Sequence, residues 1–386
     1  MFFVDGSGSE WASEVRVASR LTVTYRVRAE PAAIEARAVA LAVEQSVEMP
    51  VSAIDDPSVR DGIVGRVEAI SPIDEALFEV RIGLAGATVG NDAGQLLSML
   101  FGNSSLHDDV VLADVELPEE VATAFGGPHH GIAGLRTRLS AFGRALTCTA
   151  LKPQGLRPKA LANLAKQFAE GGVDIVKDDH GLADQAYSPF AERVAAVAEA
   201  LQEVAARRGR HILYAPSLSG DLDRLRTQVA CARKAGLTTV MVAPMVLGVA
   251  NVHTLVAENP DIAVLAHPSL GGAARIAPPL LFGKLFRLFG ADAVVFPNAG
   301  GRFGYSRETC LELADAARGP WQDLRPSFPV PAGGMTQARV PELLDTYGAD
   351  VVLLIGGALL AAGPRLVAET EAFVARVHGH HYKGVP

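Results

Sequence analysis

From Gly143 onward, the sequence repeats one unit eight times: a short apolar strand, a polar or glycine-rich turn and an amphipathic helix. The predicted strands begin at Leu146, Val173, His211, Thr238, Ile262, Ala291, Ser327 and Ala349. Their spacing of 22 to 38 residues is the length of a βα unit. Strands that are apolar throughout are typical of parallel sheets buried on both faces. Eight such units predict an α/β protein with a closed (β/α)8 TIM barrel over 144–386, with an open doubly wound sheet as the alternative.

A second domain is predicted before the barrel. Segment 20–118 gives strand, helix, two strands, helix and strand, the order of an α+β ferredoxin-like fold. We place this domain at 1–143, with 119–143 as the linker into the barrel. Residues 1–18 and the C-terminal tail are predicted to be loosely ordered. The tail histidines could chelate a metal, but a solvated terminus is the better interpretation; they are His378, His380 and His381.

Composition restricts the classes of function. The 386 residues suit a barrel with a smaller partner domain, and a hydrophobic content of 49% supplies a large core. A net charge of −8 argues against nucleic acid as a partner.

The three cysteines form no CxxC pair, which fits a reducing compartment. The N-terminus lacks the pattern of a signal peptide, and the longest apolar stretch, from Val351, is too short for a membrane span. We therefore expect a soluble cytoplasmic protein without a membrane partner.

Ionisable residues lie where the barrel strands are predicted to end, which is where barrel enzymes place their active sites. They are Lys152, Lys177, Asp179, His180 and His267. Side chains alternate along a strand, so Lys177 and Asp179 should both point into the barrel mouth. A structural salt bridge is the alternative for this pair, a structural hydrogen bond for His267 and a solvated side chain for Lys152. The polar residues Ser217, Asn251 and Asn298 also lie at or after predicted strand ends.

Glycine pairs follow the last strands. Gly333-Gly334 and Gly356-Gly357 come after strands seven and eight, where barrels bind phosphate through backbone N–H groups. Gly300-Gly301 after strand six precedes Arg302, which would add a cation. Glycine lets the backbone approach an anion closely. The alternatives are ordinary turn glycines and a solvated surface arginine.

Several motifs together indicate a known family. They are LTVTYRV, AVEQS, LFGNSSL, FGGPHHGI, ALKPQGLRP, GGVDIVKDDH, PVPAGGM and LLIGGALL. Over residues 21–377 the chain resembles the large subunit of ribulose-1,5-bisphosphate carboxylase/oxygenase (RuBisCO). It resembles more closely the RuBisCO-like proteins of form IV, which share the fold without fixing carbon dioxide. GGVDIVKDD with KP one strand earlier is the most specific of these motifs.

The resemblance implies roles for the strand-end residues. Lys177 matches the lysine that becomes a carbamate with carbon dioxide and binds Mg2+, and Asp179 matches the aspartate ligand. His180 stands where the family has a glutamate ligand, and imidazole is a weaker partner for Mg2+ than carboxylate. Lys152 matches a lysine that handles protons. His267 matches the catalytic histidine after strand five.

Other positions depart from the carboxylase pattern or concern a second subunit. Gln154 replaces a second lysine, and Pro268 replaces a phosphate-binding arginine. Arg302 is nearest to the position of the loop lysine that polarises carbon dioxide, and arginine is not equivalent to lysine there. Glu44 and Asn103 match substrate-contacting residues that reach into the neighbouring subunit's site. The resemblance therefore implies a homodimer or a larger assembly of dimers, and a protein that is not a carboxylase.

The shared chemistry of this family is removal of a proton next to a carbonyl group, with the enolate stabilised by Mg2+. We expect this chemistry on a phosphorylated sugar or sugar acid, and one lost phosphate contact at Pro268 favours a monophosphate. The outcome could be isomerisation, enolisation, or decarboxylation or hydrolysis of a 3-oxo acid sugar phosphate. Two alternatives remain: a metal-independent, lysine-dependent isomerase of a methylthioribulose-phosphate-like substrate, and a non-catalytic sugar-phosphate sensor.

Overall fold

The chain forms two units in the computed structural model, which describes residues 19–382. The first unit comprises 19–124 together with 275–277, and the second comprises the rest of the described chain from residue 125. The loose order predicted for 1–18 concerns residues outside the described range. No helix within 19–382 is long and apolar enough to cross a membrane.

The first unit has the predicted βαββαβ order with additional short helices. Its elements are β1 Arg20–Arg28, α1 Ile34–Glu44, α2 Pro57–Gly62, β2 Arg66–Pro72, β3 Leu77–Ala85, α3 Ala93–Phe101, β4 Val110–Glu116 and α4 Glu119–Phe125, whose last residue belongs to the second unit, with 3-10 turns at Val51–Ala53, Gly86–Thr88 and Asn103–Leu106. The antiparallel strand order β2-β3-β1-β4 is ferredoxin-like, as predicted. β1 buries Leu21, Val23, Tyr25 and Val27 completely. Residues 275–277 form a short parallel bridge with β4.

Eight parallel strands form the second unit. They are β5 Leu146–Leu151, β6 Ile175–Asp178, β7 Leu213–Ala215, β8 Thr239–Val242, β9 Ala263–Ala266, β10 Ala293–Pro297, β11 Phe328–Ala332 and β12 Val352–Leu354. Hydrogen bonds join them in the orders β12-β5-β6-β7 and β11-β10-β9-β8. Leu218 N–H donates to Met241 O and connects β7 to β8, and β11 lies beside β12. The ring is therefore closed, which confirms the barrel and excludes the open sheet.

Helical segments follow the strands and precede the first of them. They are α5 Gly131–Leu139, α6 Pro158–Glu170, α7 Phe190–Arg208, α8 Leu222–Lys234, α9 Pro244–Leu247, α10 Val249–Glu258, the π-helix Pro279–Leu285 continuing into α11 Phe286–Leu288, α12 Arg307–Arg318, α13 Val340–Tyr347, α14 Gly357–Leu360 and α15 Leu366–His378, with 3-10 turns at Gly271–Ala273, Gln337–Arg339 and Gly363–Arg365. α6 shows the local logic: Pro158 starts it, and Leu161, Ala165 and Phe168 form its buried face at helical spacing.

The barrel core is closed at one end by a helix. Inner side chains from all eight strands form one apolar cluster, and α5 adds Ile132, Leu135 and Leu139 to it. This helix lies in the segment 119–143 that the sequence suggested as a linker. The segment is therefore largely structured, because its apolar residues fill the barrel end.

The described part of the tail is ordered, contrary to prediction. Tyr382 OH accepts a hydrogen bond from Ala145 N–H at 2.8 Å. His378 ends α15, and the His380 side chain is only 11% exposed and lies 3.5 Å from Asp345. The prediction of a loose tail is wrong for 378–382, because His380 and Tyr382 are held by these contacts, whereas the side chains of His378 and His381 are exposed, as predicted. Residues 383–386 lie outside the described range.

Candidate active site

One cavity of about 670 Å³ in the barrel unit collects ten of the barrel residues that the sequence singled out. These are Lys152, Lys177, Asp179, His180, His267, Arg302, Gly333, Gly334, Gly356 and Gly357. They come from the carboxyl ends of β5, β6 and β9 and from the loops after β10, β11 and β12. A single ligand could therefore contact all of these segments at once.

Lys177 lies at the buried end of β6. In the sheet register it pairs with Ala150 on one side and Ala215 on the other, and these small residues leave room for its long side chain. Only 3% of Lys177 is exposed, and Nζ donates a hydrogen bond to the Asp178 carbonyl oxygen at 2.8 Å. Burial lowers the pKa of Lys177 below its usual value, against the opposing effect of Cys148 and Asp179. More of its amine is therefore available than for a surface lysine.

Asp178 points the opposite way along the strand. Its carboxylate accepts hydrogen bonds from Arg193 Nε at 3.1 Å, Tyr214 OH at 2.7 Å and Ser217 N–H at 3.0 Å. Asp178 and Arg193 are completely buried. This polar cluster fixes the end of β6, on which Lys177 is carried.

The carboxylate of Asp179 is shared by two side chains. Lys152 Nζ forms an ion pair with Asp179 Oδ1, and His180 Nδ1 lies 3.4 Å from the same oxygen. Burial opposes ionisation of Asp179, but the hydrogen bonds from His180 and Lys152 outweigh it. They hold the pKa of Asp179 well below its usual range. The carboxylate is therefore ionised at neutral pH.

Two imidazole rings stack in the cavity. His180 and His267 have ring centres 4.5 Å apart and an interplanar angle of 12°. His267 Nδ1 lies 2.8 Å from Ser269 Oγ and accepts a hydrogen bond from Ser269 N–H at 3.2 Å. Burial, with the nearby Lys177 ammonium, lowers the pKa of His267 to about 2. His267 is therefore a neutral imidazole at physiological pH.

The glycines after β10 and β11 are required by backbone packing. A Cβ atom on Gly301 would lie 1.9 Å from the Gly333 carbonyl oxygen. Gly333 and Gly334 have φ angles of +86° and +77°, and residues that carry a side chain rarely adopt such positive φ values. These glycines therefore allow the two loops to touch.

The pair after β12 has no such structural requirement. A Cβ atom on Gly357 would meet no atom within 4 Å, and the nearest atom to one on Gly356 would be 3.8 Å away. Both glycines line the cavity. Their missing side chains leave open space at the edge of the cavity, which suits a ligand that contacts the backbone.

Part of the cavity surface is apolar, which the sequence analysis did not predict. We call it the apolar wall, and it consists of Leu270, Phe282, Pro297, Phe303 and Met335. Phe303 and Met335 could have been found, because they directly follow Arg302 and Gly334 in loops already singled out. Phe282 gave no local signal, since it lies in the π-helix, sixteen residues beyond the end of β9 in chain order.

Comparison with known proteins identifies the family. A sequence model of the ribulose bisphosphate carboxylase large chain, catalytic domain, matches residues 131–368. The chain belongs to the RuBisCO large-chain family. Among its relatives, 5-methylthioribulose-1-phosphate isomerase of Rhodospirillum rubrum is 60% identical over 366 residues, which cover 95% of this chain and 98% of that protein. The Rubisco-like protein from Rhodopseudomonas palustris has a TM-score of 0.88 at 53% identity, covering 95% of this chain and 99% of that one.

A more distant RuBisCO relative carries a different reaction in its name. The 2,3-diketo-5-methylthiopentyl-1-phosphate enolase of Geobacillus thermodenitrificans is 34% identical over 308 residues, which cover 77% of this chain and 74% of that protein. The predicted membership of the RuBisCO-like proteins is thereby confirmed.

Some predicted residues do not reach the RuBisCO-like cavity. Ser217, Asn251 and Asn298 are not among its lining residues. Ser217 bonds to Asp178 and Asn251 donates to the Leu247 carbonyl, while Asn298 accepts from the Tyr347 hydroxyl. These three residues therefore make hydrogen bonds within the fold and do not face the cavity.

Glu44 and Asn103 lie together in the first unit. Asn103 Nδ2 donates to Glu44 Oε1 at 3.0 Å and to Glu48 Oε1 at 2.8 Å. The sequence singled out the first two residues, and the structure adds Glu48 to them as a local hydrogen-bonded group.

The donor set restricts which metal ion this RuBisCO-like site could hold. Among residues 19–382, no three His, Cys, Asp or Glu side chains are arranged to bind one metal ion. The candidate ligands are Lys177, Asp179 and His180, and the only carboxylate among them is already paired with Lys152. An unmodified Lys177 would add a positive charge. The residues therefore fit Mg2+ only if Lys177 carries a carbamate, which would supply the missing anionic oxygens.

Proposed function

We propose that this protein isomerises a methylthio-substituted pentulose monophosphate, with 5-methylthioribulose-1-phosphate as the first candidate, by proton transfer next to the carbonyl group. The observation that carries the proposal is one cavity that combines a buried lysine, glycine-lined loops and an apolar wall. These three features correspond to the three parts of such a substrate: its reactive carbons, its phosphate and its thioether. The relative from Rhodospirillum rubrum bears this substrate in its name.

The phosphate group would bind at the glycine loops. Gly333, Gly334, Gly356 and Gly357 bring backbone to the cavity without side chains in the way. Arg302 lines the same cavity and supplies a positive charge. Backbone N–H groups and a guanidinium are the donors that proteins use for phosphate.

The methylthio group would bind at the apolar wall. Leu270 is 62% exposed and Phe303 is 51% exposed, and an apolar ligand group would remove both from water. Sulfur also makes favourable contacts with aromatic rings, and the wall offers Phe282 and Phe303. Pro268 lines the cavity where the carboxylases carry a phosphate-binding arginine, so we propose one phosphate site rather than two.

Lys177 is the residue that we propose to accept the proton. It removes the proton from the carbon next to the carbonyl and returns it to the former carbonyl carbon, while the proton of the neighbouring hydroxyl group moves to the former carbonyl oxygen, so no net proton is consumed. Its buried environment favours the uncharged amine, which is the base itself in a metal-free reaction and which reacts with carbon dioxide to give a carbamate base in the Mg2+-dependent one. Lys152, paired with Asp179, supplies a positive charge near the oxygen of the enolate.

We propose Mg2+ as the cofactor, held by Asp179, His180 and a carbamate formed on Lys177 from carbon dioxide. The lowered pKa of Lys177 supports this, because the uncharged amine is the form that reacts with carbon dioxide. Bound Mg2+ would supply Lewis-acid stabilisation of an enolate oxygen. If the reaction runs without metal, the Lys177 amine is the base directly.

We also propose that the protein works in the cytoplasm as a homodimer or an assembly of dimers. Glu44 and Asn103 are already joined by a hydrogen bond, which preorganises them for the substrate contact that the family resemblance implies. We propose that they make this contact in the neighbouring subunit's site.

The proposal is tested by NMR in D2O with 5-methylthioribulose-1-phosphate, Mg2+ and bicarbonate. We expect an isomeric product and exchange with solvent deuterium at the carbon next to the carbonyl. Lys177→Met should lower turnover by about 1,000-fold or more, because it removes the proton acceptor. Lys166→Met is the matched control, since Lys166 pairs with Glu203 on the surface and should leave turnover unchanged.

The same experiment separates the other hypotheses. Turnover that survives chelation of Mg2+ would establish the metal-independent version. Binding without turnover or exchange would indicate a sensor. Reaction only with 2,3-diketo-5-methylthiopentyl-1-phosphate would indicate the enolase reaction instead. We expect no incorporation of labelled carbon dioxide into product, because Arg302 stands in place of the carboxylase lysine.

A further inference from the structure

The HPS sequence at 267–269 holds the His267 ring with its own loop. Ser269 N–H donates to His267 Nδ1 at 3.2 Å, and Ser269 Oγ lies 2.8 Å from the same nitrogen. A backbone N–H group can only donate, so Nδ1 must present a lone pair. This geometry is compatible with neither the Nδ1–H tautomer nor the imidazolium form.

A neutral imidazole has one N–H group, and here it must be on Nε2. Nδ1 is engaged by the loop, so Nε2 is the ring nitrogen that remains for a ligand in the cavity that His267 lines. His180 stacks against the face of the ring, and its contact leaves the in-plane position at Nε2 uncontested. The loop therefore makes His267 a hydrogen-bond donor through Nε2–H, and the fixed ring sets the direction of that donor.

We propose that Ser269 is a positioning residue that fixes His267 as the Nε2–H tautomer, so that His267 donates a hydrogen bond to an oxygen of the bound substrate. The identity of that oxygen rests on the proposed function: it is the carbonyl oxygen on which negative charge develops as Lys177 removes the proton. His267 keeps its own proton throughout, since loss of it would leave an imidazolate. A donor aimed at developing charge lowers the barrier without taking part in proton transfer.

The tautomer is tested on the full chain by 15N NMR of labelled histidine, with Ser269→Ala, Ser269→Thr and His267→Gln variants. His267→Gln assigns the signals of His267. We expect wild-type His267 to show a protonated Nε2 and an unprotonated Nδ1, and Ser269→Thr to retain this pattern through its hydroxyl group. Ser269→Ala keeps the backbone N–H group that donates to Nδ1, so it should show the same tautomer, with the Nδ1 signal shifted by the loss of the hydroxyl contact. An Nδ1–H signal in wild type or in Ser269→Ala, or an Nδ1 signal that Ser269→Ala leaves unshifted, would overturn the proposal.

Kinetics with 5-methylthioribulose-1-phosphate test the role in turnover. We expect Ser269→Ala to lower kcat about tenfold with KM nearly unchanged, because loss of the hydroxyl contact loosens the ring whose Nε2–H group faces the developing charge, and Ser269→Thr to restore kcat. An unchanged kcat in Ser269→Ala would overturn the role in catalysis. If no protein turns over the substrate but the spectra are as expected, the proposed function fails and the tautomer assignment stands.

Discussion

At the scale of single residues, the two lysines of the cavity differ in their surroundings. Lys152 keeps 34% of its side chain exposed and pairs with the Asp179 carboxylate. Lys177 is buried, and its Nζ donates to a backbone carbonyl instead. A carboxylate partner stabilises an ammonium, whereas burial beside neutral groups destabilises it. The surroundings therefore suit the two lysines to the different tasks that we propose for them, Lys152 as the cation and Lys177 as the proton acceptor.

His267 leads to a prediction about pH. Its pKa is lowered from 6.5 in the folded protein, so below pH 6.5 the unfolded chain binds a proton that the folded chain excludes. The free energy of unfolding should therefore fall as the pH falls from 6.5, by at most about 1.4 kcal/mol per pH unit from this residue. His267→Gln should reduce this slope in urea denaturation series between pH 7 and 5. Burial also lowers the pKa values of His130 and His378, so part of the slope should remain. Equal slopes for wild type and variant would contradict the prediction.

At the scale of secondary structure, β6 has two chemically different faces. Its inner face carries Lys177 into the cavity, and its outer face carries Asp178 into a buried cluster with Arg193 and Tyr214. The strand is only four residues long, so its position depends on this cluster as much as on its sheet hydrogen bonds.

Arg193→Met should therefore be strongly destabilising. It leaves the buried Asp178 carboxylate without its cation, which costs about 3–5 kcal/mol of unfolding free energy. The matched control is Arg226→Met, which breaks an exposed ion pair with Glu258 and should cost about 1 kcal/mol or less. Urea denaturation measures both. Similar losses for the two variants would show that burial of the pair has no special importance.

The cavity loops allow packing and ligand binding to be separated. Gly301→Ala should destabilise the fold by about 1–3 kcal/mol, because its Cβ would collide with the Gly333 carbonyl oxygen. Gly357→Ala should leave unfolding unchanged but weaken binding of inorganic phosphate about tenfold, since its Cβ meets only open space beside the cavity. Denaturation and titration calorimetry give the two quantities. Unweakened phosphate binding in Gly357→Ala would place the anion elsewhere.

At the scale of the whole molecule, ionisable residues, apolar residues and glycine pairs lie at the ends of different strands around the barrel. The ionisable groups come from the ends of β5, β6 and β9, the apolar wall from the segments after β9, β10 and β11, and the glycine pairs from the loops after β11 and β12. The groups that we propose for the reaction and those that we propose for substrate recognition therefore lie in different sectors of the barrel. A change in one sector should alter specificity without removing the catalytic groups.

Phe303→Ala tests this separation. It should lower kcat/KM for 5-methylthioribulose-1-phosphate about tenfold, because a buried apolar contact is worth about 1–3 kcal/mol in discrimination. The kcat/KM for ribulose 1-phosphate should change much less. This substrate has a hydroxyl group in place of the methylthio group. Steady-state kinetics with both substrates give the ratio. An equal loss for the two substrates would show that Phe303 does not contact the thioether.

Local rules explain what the sequence predicted well. Strand alternation and the parallel direction of all eight strands were enough to gather Lys152, Lys177, Asp179, His180 and His267 at one cavity. Contacts that depend on distant segments were missed. Phe282 reaches the cavity from the π-helix, and Tyr382 is held by Ala145 from the other end of the barrel sequence. Nothing near these residues in the sequence specifies such partners.

The helix α5 has a consequence for how molecules enter and leave. Ile132, Leu135 and Leu139 fill the end of the barrel remote from the cavity, and the inner side chains of the eight strands occupy the interior between them. Within the described residues, the barrel has no passage through its centre. We therefore expect one opening to serve both the proposed substrate and its product, so that a product that retains the phosphate should inhibit the entry of substrate.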